Sequence, residues 1–141
     1  MPILHSDITA TDRSNAITQW QNKWTHHKYG RHLFSIAPKV NTPVWFYNLG
    51  LSRKTITTIN RLMPSHIQSR EHLHKVNIIT NNLCDCGIIQ SIDHMTFECR
   101  HINTLHRDRL RYDLQRLNIT TYNVADILQT HNIDAYKVLR F

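Results

Sequence analysis

Apolar residues recur at helical spacing over most of this chain. Ala16, Ile17, Trp20 and Trp24 predict a helix that Asp12 or Ser14 can cap and that Gly30 would stop. The two tryptophans are four residues apart and share a face. They read as core, with a base-stacking platform as the alternative. From His32 to Asn41 the pattern changes: Leu33-Phe34-Ser35-Ile36 alternates and Pro38 follows, which predicts extended chain or a short edge strand. Val44, Trp45, Phe46 and Leu49 then predict a short apolar helix closed at Gly50. Ser52 can cap a further helix with Ile56, Ile59, Leu62 and Met63 inward, Arg53, Lys54 and Arg61 on other faces, and Pro64 at its end. Another begins near Gln68 or Ser69, buries Leu73 and Val76, and leaves Arg70, His72 and Lys75 outside.

The longest periodic segment lies downstream. At 100° per residue, Ile102, Leu110, Leu114 and Leu117 fall within about 120° of one another, so one side packs on the body. Arg100, Arg107 and Arg111 form a separate stripe about 40° wide. Aligned guanidinium groups can track a phosphate backbone, with Lys54 and Arg61 adding to the contact. A solvated face, paired with Asp108 and Asp113, explains the stripe equally well. Asn123 and Asp134 can cap two short helices, Val124-Ile127-Leu128 and Ala135-Val138-Leu139. The fold expected is mainly α, a small helical domain with a core from Trp20, Trp24, Ile56, Ile59, Leu73, Ile102, Leu110 and Leu114. Residues 1–12 form a tail, 13–117 the main module and 118–141 a pair of short C-terminal helices.

Composition supports helix over a turn-rich β-sandwich, since 40% of the residues are hydrophobic and only three are glycine and four proline. No apolar run approaches membrane-spanning length, and Met1-Pro2-Ile3-Leu4-His5 lacks the charged start and apolar core of a signal peptide. Membrane contact is not expected. Seventeen Lys and Arg against ten Asp and Glu give a net charge of +7, which favours a polyanionic partner, RNA or DNA.

All three cysteines fall within sixteen residues, with a histidine between the second and third: Cys84-Asp85-Cys86-Gly87, His94, Cys99. Soft thiolates and an imidazole suit zinc, and four protein ligands leave no open position for substrate. The expected site is a structural Cys3His zinc clasp whose three sulfurs and one His94 nitrogen converge on a common point. Cys-x-Cys-Gly puts two sulfurs on a tight turn, where glycine takes a positive φ and backbone amides turn toward sulfur. The spacing of His94 and Cys99 is less regular. Five residues on a continuous α-helix differ by roughly 140°, so the two cannot face one metal unless the helix is distorted. A short helix opening near Ser91 and ending by Cys99 is expected. Buried apolar cysteines are the alternative, but two of the three are one residue apart, which is poor spacing for a disulfide framework. Free thiols that bind metal imply a reducing, intracellular compartment.

There is no Gly-rich phosphate loop, no nucleophile elbow and no second ligand set with an open position. The acids are few and scattered, so catalysis by this chain is not expected.

The order of features resembles the segment that follows the ribonuclease H domain in polyproteins of non-LTR retrotransposons, the reverse-transcriptase zinc-binding domain. The landmarks are Trp20-Gln21-x-x-Trp24, Gly30-Arg31, the Pro38 segment, Trp45, Arg61-Leu62 with His66, Cys84-Asp85-Cys86-Gly87, Asp93-His94 and Cys99, with Arg107 and Leu110 downstream. They span roughly Arg13 to Leu117. Where the family has Arg-Leu-Arg-x-Gly-His, this chain has Arg61-Leu62-Met63-Pro64-Ser65-His66, one basic residue and one glycine fewer. The resemblance implies a non-catalytic zinc module that helps hold RNA or target DNA beside the upstream reverse transcriptase and ribonuclease H domains, in the nucleus. It implies either a piece of such a polyprotein or a retained copy. A module that docks on those upstream domains, touching nucleic acid weakly, is the alternative.

Overall fold

The computed structural model describes residues 10–40, 43–102 and 104–139, with the side chain of Ala10 excluded. Most of the expected tail and the end of the expected extended segment at Asn41 lie outside the described residues. The described fold is mainly helical: α1 (Ala10–His26), α2 (Arg31–Ile36), α3 (Arg53–Leu62), α4 (Arg70–Lys75), a π-helical turn (His94–Glu98), α5 (Thr104–Arg116), α6 (Val124–Gln129) and α7 (Ile133–Val138). Among the described residues the only β pairing is an isolated antiparallel bridge between Leu83 and Ile89, and no helix is long and apolar enough to cross a membrane. Two compact units divide between Trp45 and Phe46.

In the first unit α1 begins at Ala10, which puts Asp12 in its first turn and Ser14 inside it, so neither is the cap. The chain turns at Gly30, whose φ of +71° favours glycine and whose Cα approaches the Trp24 ring so closely that a Cβ would lie 3.2 Å from it. Segment 31–36 is helical, not extended. Gly30 opens the helix, and Phe34 meets Trp24 edge-on with ring centroids 5.8 Å apart, a contact that the apparent alternation of Leu33 to Ile36 conceals. Polar anchors complete the turn. Trp24 Nε1 donates to the Ala37 carbonyl at 3.0 Å, and the Gln21 amide donates to the Pro38 carbonyl and accepts from the Val40 N–H. Arg31 donates to the carbonyls of Trp24, Thr25 and His27 at the open end of α1. Trp24 is therefore half-buried, and Trp20 is 58% exposed, so the expected burial of the pair fails.

The second unit is built on α7, which packs against both α3 and α5. Its core comprises Ile59 and Leu62 of α3, Leu110 and Leu114 of α5, Val124, Ile127 and Leu128 of α6, and Ala135, Tyr136 and Leu139, with Phe97 from the π-turn. Residues 118–139 thus supply a large share of this core. Ile56, Leu73 and Ile102, expected in the core, are only half-buried, and Val76 is 47% exposed because α4 ends before it. The Tyr136 hydroxyl donates to the Leu128 carbonyl at 2.8 Å, and burial pushes its pKa up to about 12.

Three of the expected caps form. Ser52, Ser69 and Asn123 each accept from a backbone N–H two or three residues into their helices, while at α7 Asn132 takes the role expected of Asp134. Residues 45–48 form turns in place of the expected apolar helix, with Asn48 at φ 58°. Helix ends use few glycines. Ser65, Asn77 and Asn118 take the left-handed conformation after α3, α4 and α5, and the next N–H in each case reaches back five residues, to Arg61, Leu73 and Leu114.

Candidate metal centre

Cys84 opens a tight turn in which the Gly87 N–H bonds the Cys84 carbonyl at 2.9 Å and the Cys84 N–H bonds the Ile88 carbonyl at 2.7 Å. Gly87 takes φ +88°, as Cys-x-Cys-Gly predicts. The backbone amide of Cys86 leads the effects that bring the Cys84 thiol down to about 6 against the cost of burial. At Cys86 the Ile88 N–H lowers the pKa, but burial and the neighbouring Cys84 and Cys99 sulfurs outweigh it and raise the thiol. Three sulfurs this close cannot all be thiolates in comfort unless a cation sits among them.

The second half of the cluster comes from the turn after Ser91. Its hydroxyl accepts the His94 N–H at 3.1 Å and its carbonyl the Met95 N–H at 3.0 Å, which starts the helix where the sequence places it. The irregular spacing of His94 and Cys99 is then resolved by a π-turn. The Cys99 N–H bonds the His94 carbonyl at 2.8 Å, a bond between residues i and i+5, so the backbone closes one turn over five residues. Cys99 itself leaves the turn extended, at φ −64° and ψ 126°. An α-helix would have splayed the two ligands; the wider turn brings Cys99 back over His94.

The four ligand atoms all lie within 4.8 Å of one another. The Cys84 and Cys99 sulfurs are 3.5 Å apart, and the Cys86 sulfur is 3.1 Å from His94 Nε2. The edges of a tetrahedral Cys3His zinc site are roughly 3.5 to 3.8 Å, so the donor set fits a metal ion after small adjustments. Cys84, His94 and Cys99 are buried and Cys86 half-buried. Four protein donors close such a site to substrate.

Residues that the spacing of ligands does not reveal hold the cluster in place. Glu98 Oε2 is 3.4 Å from His94 Nδ1, a long contact that favours the tautomer with its proton on Nδ1 and leaves Nε2 free to ligate. Replacing Glu98 by alanine is expected to weaken metal binding about 10- to 100-fold in a chelator competition, and unchanged affinity would remove Glu98 from the site. Arg70 donates to the Leu83 carbonyl at 2.7 Å and pairs with Asp85 at 3.2 Å, while Gln90 accepts from the Arg70 and Glu71 N–H groups, which fastens α4 to the cysteine turn. Asp93 accepts from the Val124 N–H at 2.7 Å and the Asn123 side-chain amide at 2.9 Å, which fastens the π-turn to the start of α6.

The arginine stripe has a different fate. Arg107 donates to the carbonyls of Cys99 and Glu98 at 3.0 and 3.3 Å, and Arg111 donates to that of Phe97. These carbonyls end the π-turn and lack intrahelical partners, so the two guanidinium groups cap it. Arg111 also lies over the Tyr122 ring, 5.1 Å from its centroid. Arg100 is not on α5, which begins at Thr104, so the continuous stripe does not form. Arg100, Lys54 and Arg61 are exposed, and Lys54 and Arg61, seven residues apart on α3, lie within about 20° of each other around its axis. Against family models, curated proteins and solved structures, the chain matches none.

Proposed function

We propose that this chain is a non-catalytic, zinc-stabilised nucleic-acid-binding module of the kind that follows the ribonuclease H domain in non-LTR retrotransposon polyproteins, where it helps hold RNA or target DNA. The carrying observation is a closed cluster of four converging donors in a chain of net charge +7. Three thiolates and an imidazole favour zinc over harder ions, and four protein donors leave the metal a structural role. The basic excess supplies the affinity for phosphate. The resemblance to the family supplies the setting, beside reverse transcriptase and ribonuclease H domains in the nucleus.

Because Arg107 and Arg111 cap the π-turn, the phosphate contacts are assigned to Arg100, Lys54 and Arg61. Log K for a nucleic acid should fall with log salt at about 0.7 to 0.9 per phosphate contact, so the Lys54/Arg61/Arg100→Ala variant should lose up to about two to three units of slope. A salt titration of the wild type and this variant decides the matter. The docking alternative gives an unchanged slope, and it is favoured by the exposed Ile88 and Ile89 that follow the cysteine turn.

A further inference from the structure

The first unit carries a second feature unrelated to the metal cluster. Across residues 10–40 there are five Lys and Arg, namely Arg13, Lys23, Lys28, Arg31 and Lys39, against one acid, Asp12. More than half of the chain's excess charge is concentrated in this stretch. Exposed rings lie among these cations. His27 continues the last turn of α1 through its N–H to the Lys23 carbonyl at 2.9 Å, so on a 100° period it lies within about 20° of Trp20 and about 10 Å further along the axis. The His27 ring packs against that of Tyr29 with centroids 5.6 Å apart, and its Nδ1 accepts the Tyr29 N–H at 3.3 Å, which fixes the turn. Trp20 is 58% exposed and Tyr29 65% exposed. Lys23 sits between Trp20 and His27 along the helix, and Lys28 Nζ lies 4.8 Å from the Tyr29 centroid.

Trp24, not Trp20, supplies the packing of this unit: its ring meets Gly30 and Phe34 and its indole N–H the Ala37 carbonyl. Trp20 is therefore available to a ligand. An indole and a phenol ring left in water on a basic surface match what unpaired bases require, a flat apolar face with cations beside it for the phosphates. We infer that Trp20, His27 and Tyr29, flanked by Lys23 and Lys28, form a stacking site for single-stranded nucleic acid on the first unit. The inference rests on the nucleic-acid reading above for its class of ligand, but it uses none of the residues assigned there.

The test is a fluorescence-anisotropy titration of the full chain with a labelled short oligothymidylate and with a duplex of equal length. Trp20→Ala and Tyr29→Ala should each weaken single-strand binding about tenfold, and Trp20→Phe should retain most of it. Duplex binding should change little, because paired bases are stacked on one another and present no free face. Near-UV circular dichroism checks that Trp24 remains packed in each variant. If the alanine variants bind the single strand like the wild type while Lys54/Arg61/Arg100→Ala loses it, the stacking site is overturned and the proposed function survives. If they weaken single strand and duplex alike, stacking is again overturned. A wild-type chain that binds neither probe would remove both readings.

Discussion

Chelating the metal, or replacing Cys86 by serine, should unfold at least residues 83–99 and lower the thermal midpoint far more than Arg109→Ala, a change at a side chain that is 83% exposed. Apparent zinc binding energies in small structural sites run at about 10 to 16 kcal/mol, against about 5 to 15 kcal/mol for the whole stability of a typical domain. The cluster also has few substitutes for the metal. The Leu83 to Ile89 bridge is isolated, and the π-turn is a single turn of an intrinsically rare helix. Its loss would spread. The carbonyls of Phe97, Glu98 and Cys99 would leave Arg107 and Arg111, and Asp93 would leave the start of α6. Thermal melts with and without chelator, together with metal analysis of protein purified without chelator, measure this. Equal midpoints for Cys86→Ser and Arg109→Ala, or a persistent fold with no stoichiometric metal, would show that the cluster is not a structural clasp.

The ligand set was legible because its chemistry is local: three sulfurs within sixteen residues and a glycine after the second mark a turn and a donor set together. The geometry of its other half was legible only as a problem. A 100° period shows that His94 and Cys99 diverge on an α-helix, but it has no means of finding a bond between residues five apart, which is what reunites them. The roles of Arg107 and Arg111 were hidden for a related reason. Their partners are backbone carbonyls, which leave no mark on residue identity, so an i, i+4 pair of arginines looks the same whether it faces phosphate, water or the end of another helix.

Periodicity likewise gave the shared face of Trp20 and Trp24 but not how far over that face the chain returns. The turn at Gly30 covers Trp24 and leaves Trp20 exposed. The weight of α6 and α7 was missed because each is six residues long, too short for a period to stand out, although Ile127, Leu128 and Ala135 are fully buried.

Phe97→Ala should be the most damaging single change outside the ligands, because Phe97 belongs to both the metal centre and the core. It lies between two ligands on the π-turn and is 1% exposed. Its ring packs against Tyr122 with centroids 5.7 Å apart, and its carbonyl holds Arg111, whose guanidinium lies over the same tyrosine. Truncation removes a buried ring and leaves a cavity that its neighbours, His94 and Cys99 held in the four-donor cluster, are poorly able to fill, at a cost of about 3 to 5 kcal/mol. For a unit of this size that corresponds to roughly 10 °C or more in the midpoint. Metal affinity should fall with it, since any metal that binds the folded form alone shares the loss through linkage. Tyr112→Ala, on the same helix as Arg111 but 60% exposed, is the control and should stay within about 0.5 kcal/mol of the wild type. Melts at saturating metal and a chelator competition separate the two effects. A Phe97→Ala chain that melts like Tyr112→Ala would show that the core and the clasp are held independently of this ring, joined by Arg107, Arg111 and Asp93.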